Sequence, residues 1–257
     1  MKLSEARILV VDDEAALREI FARWLRGSGC LQIETAENGQ EAIDAIHKSP
    51  FDVLITDVRM PVMDGVALVR RLAELGKRIP CIIFVSAFGE VDQREMYDLG
   101  VEAFLAKPFR LEELAAVLEN AIANRSTLWQ TPMAIPPRQS VLLELGAYCP
   151  AGGDSTPGSA EICRAVERFR LGRGGFSARF AGPVGLGKIS FRCNFDSAQP
   201  SQAAAPELTG EGFVRWRSRV EQTIGVEFAY LDSPGREWVV DQITAINPRS
   251  FVPALGG

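Results

Sequence analysis

The first half of the chain alternates short apolar runs with amphipathic segments. The runs Arg7–Val11 and 51–56 have the length and the β-branched content of buried strands. Segments with apolar residues at helical spacing lie between and after such runs, at residues 14–28, 39–49, 64–75, 90–99 and 111–124. A chain in which strands and helices alternate in this way folds into an α/β doubly wound parallel sheet with helices on both faces.

Acidic side chains follow two of these strands directly. Asp12 and Asp13 come after the first apolar run, Asp57 comes after 51–56, and Lys107-Pro108 lies near the end of the first half. The carboxyl ends of parallel strands meet at one edge of a sheet, so we expect three carboxylates and one ammonium to share a cleft.

A cation is needed to hold these carboxylates together. Two carboxylates 4 Å apart repel each other by roughly 4 kcal/mol at an effective dielectric of about 20. Mg²⁺ suits such a site because it prefers one or two carboxylates together with waters and a phosphoryl oxygen. The central carboxylate, Asp57, is then placed to attack phosphorus and form an aspartyl-phosphate.

Four motifs in this order and spacing resemble the receiver domain of bacterial two-component response regulators. The resemblance covers residues 1–124 and implies a five-stranded, flavodoxin-like fold. The motifs are Ile8-Leu9-Val10-Val11-Asp12-Asp13-Glu14, Asp57-Val58-Arg59-Met60-Pro61-Val62-Met63-Asp64-Gly65, Val85-Ser86-Ala87 and Phe104-Leu105-Ala106-Lys107-Pro108-Phe109.

The resemblance implies a role for each matching residue. Asp57 corresponds to the phosphoacceptor. The Mg²⁺ ligands are Asp13 and Asp57 directly, Asp12 through water, and Arg59 through its backbone carbonyl. Ser86 and Lys107 correspond to the groups that bind the phosphoryl oxygens, Phe104 to an aromatic switch, and 86–109 to the readout face. The resemblance also implies a cis Lys107-Pro108 peptide. It implies a sensor histidine kinase or phosphotransfer protein as phosphodonor, and slow self-dephosphorylation without other enzyme activity.

Each of these residues also has an ordinary structural alternative. Asp12 or Asp13 could cap the following helix, and Asp57 and Asp64-Gly65 could serve turn chemistry. Lys107 could be a solvated loop residue. Only their joint occurrence at strand ends favours a functional site.

Two enzyme classes with similar sheets do not fit. A dinucleotide-binding domain needs a glycine-rich turn after its first strand, where this chain has Asp12-Asp13-Glu14-Ala15-Ala16. A phosphatase of the haloacid dehalogenase type carries a second aspartate two positions after its nucleophile, and here Glu14 follows Asp12 at that spacing.

Composition indicates a soluble globular protein. Of 257 residues, 47% are hydrophobic and 24% charged, and no apolar run has the length of a membrane span. We therefore expect a cytoplasmic protein without membrane insertion. The five cysteines form no C-x-x-C pair, and the single histidine, His47, argues against a histidine-based metal site or catalytic triad.

The second half has a different pattern. Residues 125–140 are punctuated by prolines and predict a linker. From 141 to 257 apolar residues alternate with polar ones, as in half-buried strands, and 237–246 has helical spacing. Short strands between glycine and proline turns predict a small antiparallel barrel. Segments 176–195, 212–219 and 223–228 resemble the PilZ domain, whose usual ligand is cyclic di-GMP.

The ligand motifs of that family are incomplete here. Where a D/N-x-S-x-x-G motif belongs, the chain reads Arg170-Leu171-Gly172-Arg173-Gly174-Gly175. Two alternatives stay open. The arginines Arg164, Arg168, Arg170 and Arg173 could bind the phosphates of cyclic di-GMP or a similar ligand, or they could lie on a solvated strand face.

These observations predict a response regulator whose PilZ-like output domain acts through protein contacts. The alternative is a cyclic di-GMP receptor controlled by receiver phosphorylation. Expected partners are the phosphodonor, a downstream protein and a second copy of the chain. DNA is not expected, because residues 126–257 carry 13 Lys+Arg against 12 Asp+Glu and no helix-turn-helix pattern.

Overall fold

The structure is a computed structural model that describes residues 2–74, 79–86, 92–123, 128–134, 139–145, 169–180, 184–195 and 207–254. The chain forms two compact units. Unit 1 comprises Met1–Asp92 and Leu99–Asn124, and unit 2 comprises Gln93–Asp98 and Arg125–Gly257. Each unit has its own sheet and its own hydrophobic core.

Unit 1 contains a five-stranded parallel sheet, as the sequence predicts. The strands run in the order β2-β1-β3-β4-β5, and every pair is parallel. They are β1 (Arg7–Val11), β2 (Gln32–Ala36), β3 (Val53–Asp57), β4 (Cys81–Ser86) and β5 (Val101–Ala106). The helices along this part of the chain are α1 (Ala15–Gly27), α2 (Gly39–Lys48), α3 (Gly65–Glu74), α4 (Gln93–Leu99) and α5 (Leu111–Ile122). All but the last residue of α4 belongs to unit 2.

The core of unit 1 explains the apolar runs. All six residues of β4 and the last four of β1 are buried, as expected for strands covered on both faces. Leu114 and Leu118 of α5 pack into the cluster formed by the strand side chains. Full burial of each such side chain contributes roughly 1.5–3 kcal/mol, so the strand ends are held firmly in place.

The described part of unit 2 contains a six-stranded sheet and one helix besides α4. The strands are β6 (Gln139–Leu145), β7 (Phe169–Leu171), β8 (Gly175–Arg179), β9 (Gly187–Phe195), β10 (Leu208–Ser218) and β11 (Thr223–Leu231). Their order is β6-β9-β10-β11-β8-β7, with all pairs antiparallel except the parallel pair of β6 and β9. The expected closed barrel is not formed by the described strands, because β6 and β7 end the sheet at opposite edges instead of pairing.

A β-bulge in β10 changes which side chains face the core of unit 2. The alternation of the sequence places Val214 and Trp216 on one face. In the structure Val214 pairs with Val226 while Trp216 pairs with Gly225, so Arg215 is an extra residue between them. Val214 therefore packs in the core and Trp216 is buried on the opposite face of the sheet.

Helix α6 (Ser233–Ile246) begins four residues before the predicted start. The Asp232 side chain accepts a hydrogen bond from the Gly235 backbone N–H at 3.1 Å, and Pro234 lies in the first turn. An N-cap of this kind satisfies a backbone donor that the helix itself leaves free. Val239 and Ile243 of the helix then pack into the core of unit 2.

Part of the segment predicted as a linker packs within unit 2. The Trp129 ring packs edge-on against Phe228 with ring centroids 5.1 Å apart, and its carbonyl accepts from the Leu231 N–H at 2.9 Å. The Met133 N–H donates to Glu211 at 2.6 Å. None of the helices in the described part of the chain has the length and hydropathy of a membrane span.

Candidate functional site

Three carboxylates meet at the carboxyl ends of the strands in unit 1. Asp12 and Asp13 follow β1 and Asp57 ends β3, and β1 pairs directly with β3. One ligand atom from each of the three lies within 4.8 Å of the others. Asp12 is buried, Asp57 is half-buried and Asp13 is exposed. The predicted cleft therefore exists, with its most exposed acid at the rim.

Lys107 joins two of these carboxylates. It directly follows β5, and its Nζ donates to Asp57 Oδ2 at 2.5 Å and to Asp12 Oδ2 at 3.2 Å. The Lys107–Pro108 peptide is cis, as the resemblance implies. Because the ammonium touches both acids, it offsets the repulsion between them.

The charge balance of the cleft also affects Lys107 itself. Burial lowers the pKa of the Lys107 ammonium, but the hydrogen bond to Asp57 and the nearby charges of Asp12 and Asp57 outweigh this effect. The net result is a pKa raised above 10.5. Lys107 is therefore fully charged at neutral pH and can contact an anion in the cleft.

A tight loop after β3 fixes Asp57. The Arg59 N–H donates to Asp57 Oδ1 at 3.2 Å, and the Gly65 N–H donates to the Val58 carbonyl at 2.8 Å. A Cβ atom at Gly65 would overlap the carbonyl oxygen of Asp57. Asp64 stabilises the turn, as the sequence suggested. Its Oδ1 accepts a hydrogen bond from the Ala67 N–H at 2.7 Å and so caps the N-terminus of α3.

Ser86 and Phe104 lie on the neighbouring strands. Ser86 ends β4, one position beyond the residue that pairs with Asp57, and its carbonyl accepts from the Lys107 N–H at 2.8 Å. Phe104 pairs with Phe84 across β4 and β5, and the two rings meet edge-on with centroids 5.7 Å apart. Ser86 is buried and Phe104 half-buried, so the hydroxyl and the aromatic ring are carried by adjacent strands that end at the cleft.

The sequence does not point to Arg18, although Arg18 holds the loop that carries Asp12 and Asp13. Its guanidinium donates to the Asp12 carbonyl at 2.6 Å and to the Asp13 carbonyl at 3.0 Å. Asp12 Oδ1 also accepts from the Glu14 N–H at 2.9 Å. The Asp12 carboxylate therefore stabilises the turn before α1 and also lines the cleft. No residue-type pattern in the sequence marks the Arg18 contact, because its acceptors are backbone carbonyls.

The cleft fits a divalent cation. It offers three carboxylates at short mutual distances, and no histidine or cysteine joins them among the described residues; all-oxygen ligands of this kind are the donor set that Mg²⁺ prefers. Within the resemblance Asp13 and Asp57 hold the ion directly, Asp12 holds it through water and Arg59 contributes its carbonyl. An ion held there would add to the positive charge that Lys107 already places beside Asp12 and Asp57.

The arginines proposed as a ligand site in unit 2 are found in a different setting. Arg164 and Arg168 lie outside the described residues. Arg170 lies on β7, and its guanidinium donates to the Ala254 carbonyl. Arg173 lies in the turn before β8 and donates to the Arg249 carbonyl at 3.1 Å. Both guanidiniums are thus engaged by the backbone of the C-terminal segment 249–254.

Comparison with known proteins identifies the family of the first half. The family described as response regulator receiver domain matches residues 8–119. This finding confirms the resemblance for that part of the chain. For the second half, what is established is a mainly antiparallel sheet.

Several relatives share this half. The DNA-binding transcriptional regulator NtrC of Escherichia coli K12 is 37% identical over 118 residues, which cover 46% of this chain and 25% of NtrC. Response regulator MprA of Mycolicibacterium vanbaalenii is 37% identical over 121 residues, covering 47% and 52%. The solved structure of chemotaxis response regulator CheY4 of Vibrio cholerae is 30% identical, with TM-score 0.41, covering 46% and 98%. The chain spans about half or less of these two curated relatives.

Proposed function

Because residues 8–119 are a response regulator receiver domain, we propose that the chain accepts a phosphoryl group on Asp57 from a phosphodonor such as a histidine kinase. The observation that carries this proposal is the convergence of three carboxylates and one ammonium at the ends of β1, β3 and β5. Asp57 is the central acid of the group, half-buried and fixed by its loop.

In the transfer step an Asp57 carboxylate oxygen attacks phosphorus. A new P–O bond forms while the bond from phosphorus to the donor breaks, and the donor keeps the electron pair and takes up a proton. Mg²⁺ in the cleft would neutralise charge on the transferring phosphoryl group. Lys107 releases the Asp57 carboxylate and binds a phosphoryl oxygen, and the Ser86 hydroxyl, on the adjacent strand, binds another.

Phosphorylation of the purified chain tests this role. With acetyl phosphate and Mg²⁺, intact-mass analysis is expected to show one added phosphoryl group on the wild type and none on Asp57→Ala. Asp44→Ala is a suitable control, because Asp44 is an exposed acid on α2. Equal labelling of the wild type and Asp57→Ala would refute the assignment of Asp57.

For the second half we propose an output domain of the PilZ type that acts through protein contacts, with 1–124 as the receiver and 125–140 connecting the two. The engagement of Arg170 and Arg173 with carbonyls of the C-terminal segment supports protein contacts over dinucleotide binding. Calorimetry with cyclic di-GMP on the full chain is expected to show no heat of binding. Saturable heat would instead establish the chain as a cyclic di-GMP receptor.

A further inference from the structure

The end of the unit 2 sheet at which β8 and β10 stop is rich in cations. Two segments meet there, 179–188 and 214–223, and they contain five Lys or Arg residues against one acid, Glu221. The Glu221 carboxylate is already paired with Arg94 of α4 at 2.5 Å. This end of the sheet therefore carries a positive charge, although the whole chain has a formal net charge of −5.

Two hydrogen bonds hold these segments side by side. The Arg217 guanidinium, near the end of β10, donates to the Val184 carbonyl at 3.2 Å. The Phe180 N–H, directly after β8, donates to the Gln222 carbonyl at 2.7 Å. Residues 184–186 before β9 and the turn 219–222 between β10 and β11 consequently lie at the same end of the sheet.

Two aliphatic side chains project from this end. Val220 in the turn 219–222 is 95% exposed, and Leu186 is 61% exposed. The turn itself is held in shape, because the Glu221 N–H donates to Ser218 Oγ at 3.2 Å and Gln222 adopts the left-handed conformation with φ 53°. The backbone therefore presents Val220 to the solvent from a fixed turn instead of folding it back onto the sheet.

Exposed cations lie around these two side chains. Arg179 ends β8, Arg217 and Arg219 lie at the end of β10, and Lys188 lies at the start of β9. Arg215 is not counted with them, because its guanidinium is paired with Glu227. We call the resulting surface the basic sheet end, and it consists of Arg179, Leu186, Lys188, Arg217, Arg219 and Val220.

Aliphatic side chains beside cations suit an anionic bilayer better than other anionic partners. Leu and Val are under-represented among the residues that dominate binding between proteins. Surfaces that bind single-stranded nucleic acid add aromatic side chains on which bases stack, whereas Leu186 and Val220 are aliphatic. At an anionic bilayer each Lys or Arg near the surface strengthens binding by roughly 5-fold. Aliphatic side chains next to such cations enter the boundary between head groups and acyl chains.

We propose that the basic sheet end docks on the surface of a bilayer that contains anionic phospholipids. Its four cations lie at the level of the lipid phosphates, and Leu186 and Val220 enter the boundary beneath them. The chain lies on the bilayer and does not cross it. This inference goes beyond the proposed function, since it requires neither phosphorylation of Asp57 nor binding of cyclic di-GMP.

Co-sedimentation of the full-length chain with lipid vesicles tests the proposal. Partition onto vesicles of phosphatidylcholine mixed with phosphatidylglycerol is expected to be about 10-fold or more stronger than onto vesicles of phosphatidylcholine alone. The difference should shrink as salt is added, because ions screen the attraction between exposed charges. Equal partition onto the two kinds of vesicle, or none onto either, overturns the proposal, and the basic sheet end would then suit an acidic protein surface.

Variants with matched controls locate the contact. Val220→Asp is expected to weaken partition by about 10-fold or more and Arg219→Ala by roughly 5-fold. Leu31→Asp and Arg23→Ala make the same charge changes in unit 1, at side chains that are 77% and 79% exposed, and should partition like the wild type. Thermal unfolding should be the same for all four variants, since none of these side chains is buried. If Leu31→Asp weakens partition as much as Val220→Asp, net charge alone explains the binding and the basic sheet end is the wrong surface.

Discussion

Lys107 Nζ lies 2.5 Å from Asp57 Oδ2, so the proposed phosphoacceptor of this chain is already paired with a cation before any phosphate arrives. The same ammonium reaches Asp12 at 3.2 Å. An incoming phosphoryl group or metal ion must therefore displace or share this ion pair. The Lys107 side chain is 27% exposed, so it is not enclosed in the core and has room to turn toward a new anion.

Removal of the ammonium should destabilise unit 1 in a way that Mg²⁺ corrects. In Lys107→Met the carboxylates of Asp12 and Asp57 lose the ammonium that is hydrogen-bonded to both. We expect the free energy of unfolding in EDTA to fall by about 1–2 kcal/mol. Saturating Mg²⁺ should restore most of it, because the ion binds the folded cleft. Denaturant titration measures both values, and Lys48→Met, at an exposed helix end, is the control.

Arg18 is expected to act as a positioning residue for the acidic loop. Arg18→Ala removes two hydrogen bonds to the carbonyls of Asp12 and Asp13 but leaves every carboxylate in place. Mg²⁺ affinity should fall roughly 3- to 10-fold, equivalent to about 1 kcal/mol of lost preorganisation. Calorimetric titration gives the affinity. Arg23→Ala on the same helix, where the side chain is 79% exposed, should bind Mg²⁺ like the wild type.

Gly65 should tolerate no side chain. A Cβ atom at this position overlaps the backbone carbonyl of Asp57, and backbone cannot move aside cheaply. We expect Gly65→Ala to lower the free energy of unfolding by about 2 kcal/mol or more and to reduce labelling of Asp57 by acetyl phosphate. Gly27→Ala, at the end of α1 with open space around it, should be neutral or stabilising by up to about 1 kcal/mol. Equal stability of the two variants would contradict the close approach.

The cap of α6 can be measured on its own. Asp232→Ala removes the acceptor of the Gly235 N–H and should cost about 1 kcal/mol in the unfolding of unit 2. Ser233→Ala changes the next residue, whose hydroxyl donates to the exposed Glu237 side chain, and should cost less than half as much. Thermal unfolding monitored by the tryptophan fluorescence of the chain reports both.

Cys193 should make the stability of unit 2 depend on alkaline pH. Complete burial raises the pKa of this thiol well above 9.0 in the folded chain. The unfolded chain therefore loses the thiol proton first, and the stabilisation present below pH 9.0 is lost as the pH rises toward the folded pKa. The expected slope is about 1.4 kcal/mol per pH unit from this one group. Cys193→Val should show a flatter curve over the same range in otherwise identical denaturant titrations.

Much of unit 1 follows from the sequence alone. Apolar runs that end in Asp12, Asp13 and Asp57 require buried parallel strands, and parallel strands gather their ends at one edge, so the acidic cleft is fixed once the fold is. The position of Lys107 follows from the same rule applied to β5. Arg18 escaped the sequence analysis because it binds backbone carbonyls, and no residue-type pattern marks such a contact.

The structure of unit 2 follows less completely from the sequence. Alternation predicted strands correctly, yet the bulge at Arg215 moves Trp216 to the face opposite Val214, and a period of two cannot reveal a single inserted residue. Three other features depend on contacts between residues distant in sequence. They are the open sheet, the hydrogen bond of Arg170 to the C-terminal segment, and the assignment of α4 to unit 2. The sequence by itself determined the chemistry of the cleft because that chemistry lies at strand ends. Only the tertiary structure decided what α4 touches, because the partners of a helix face are set by packing.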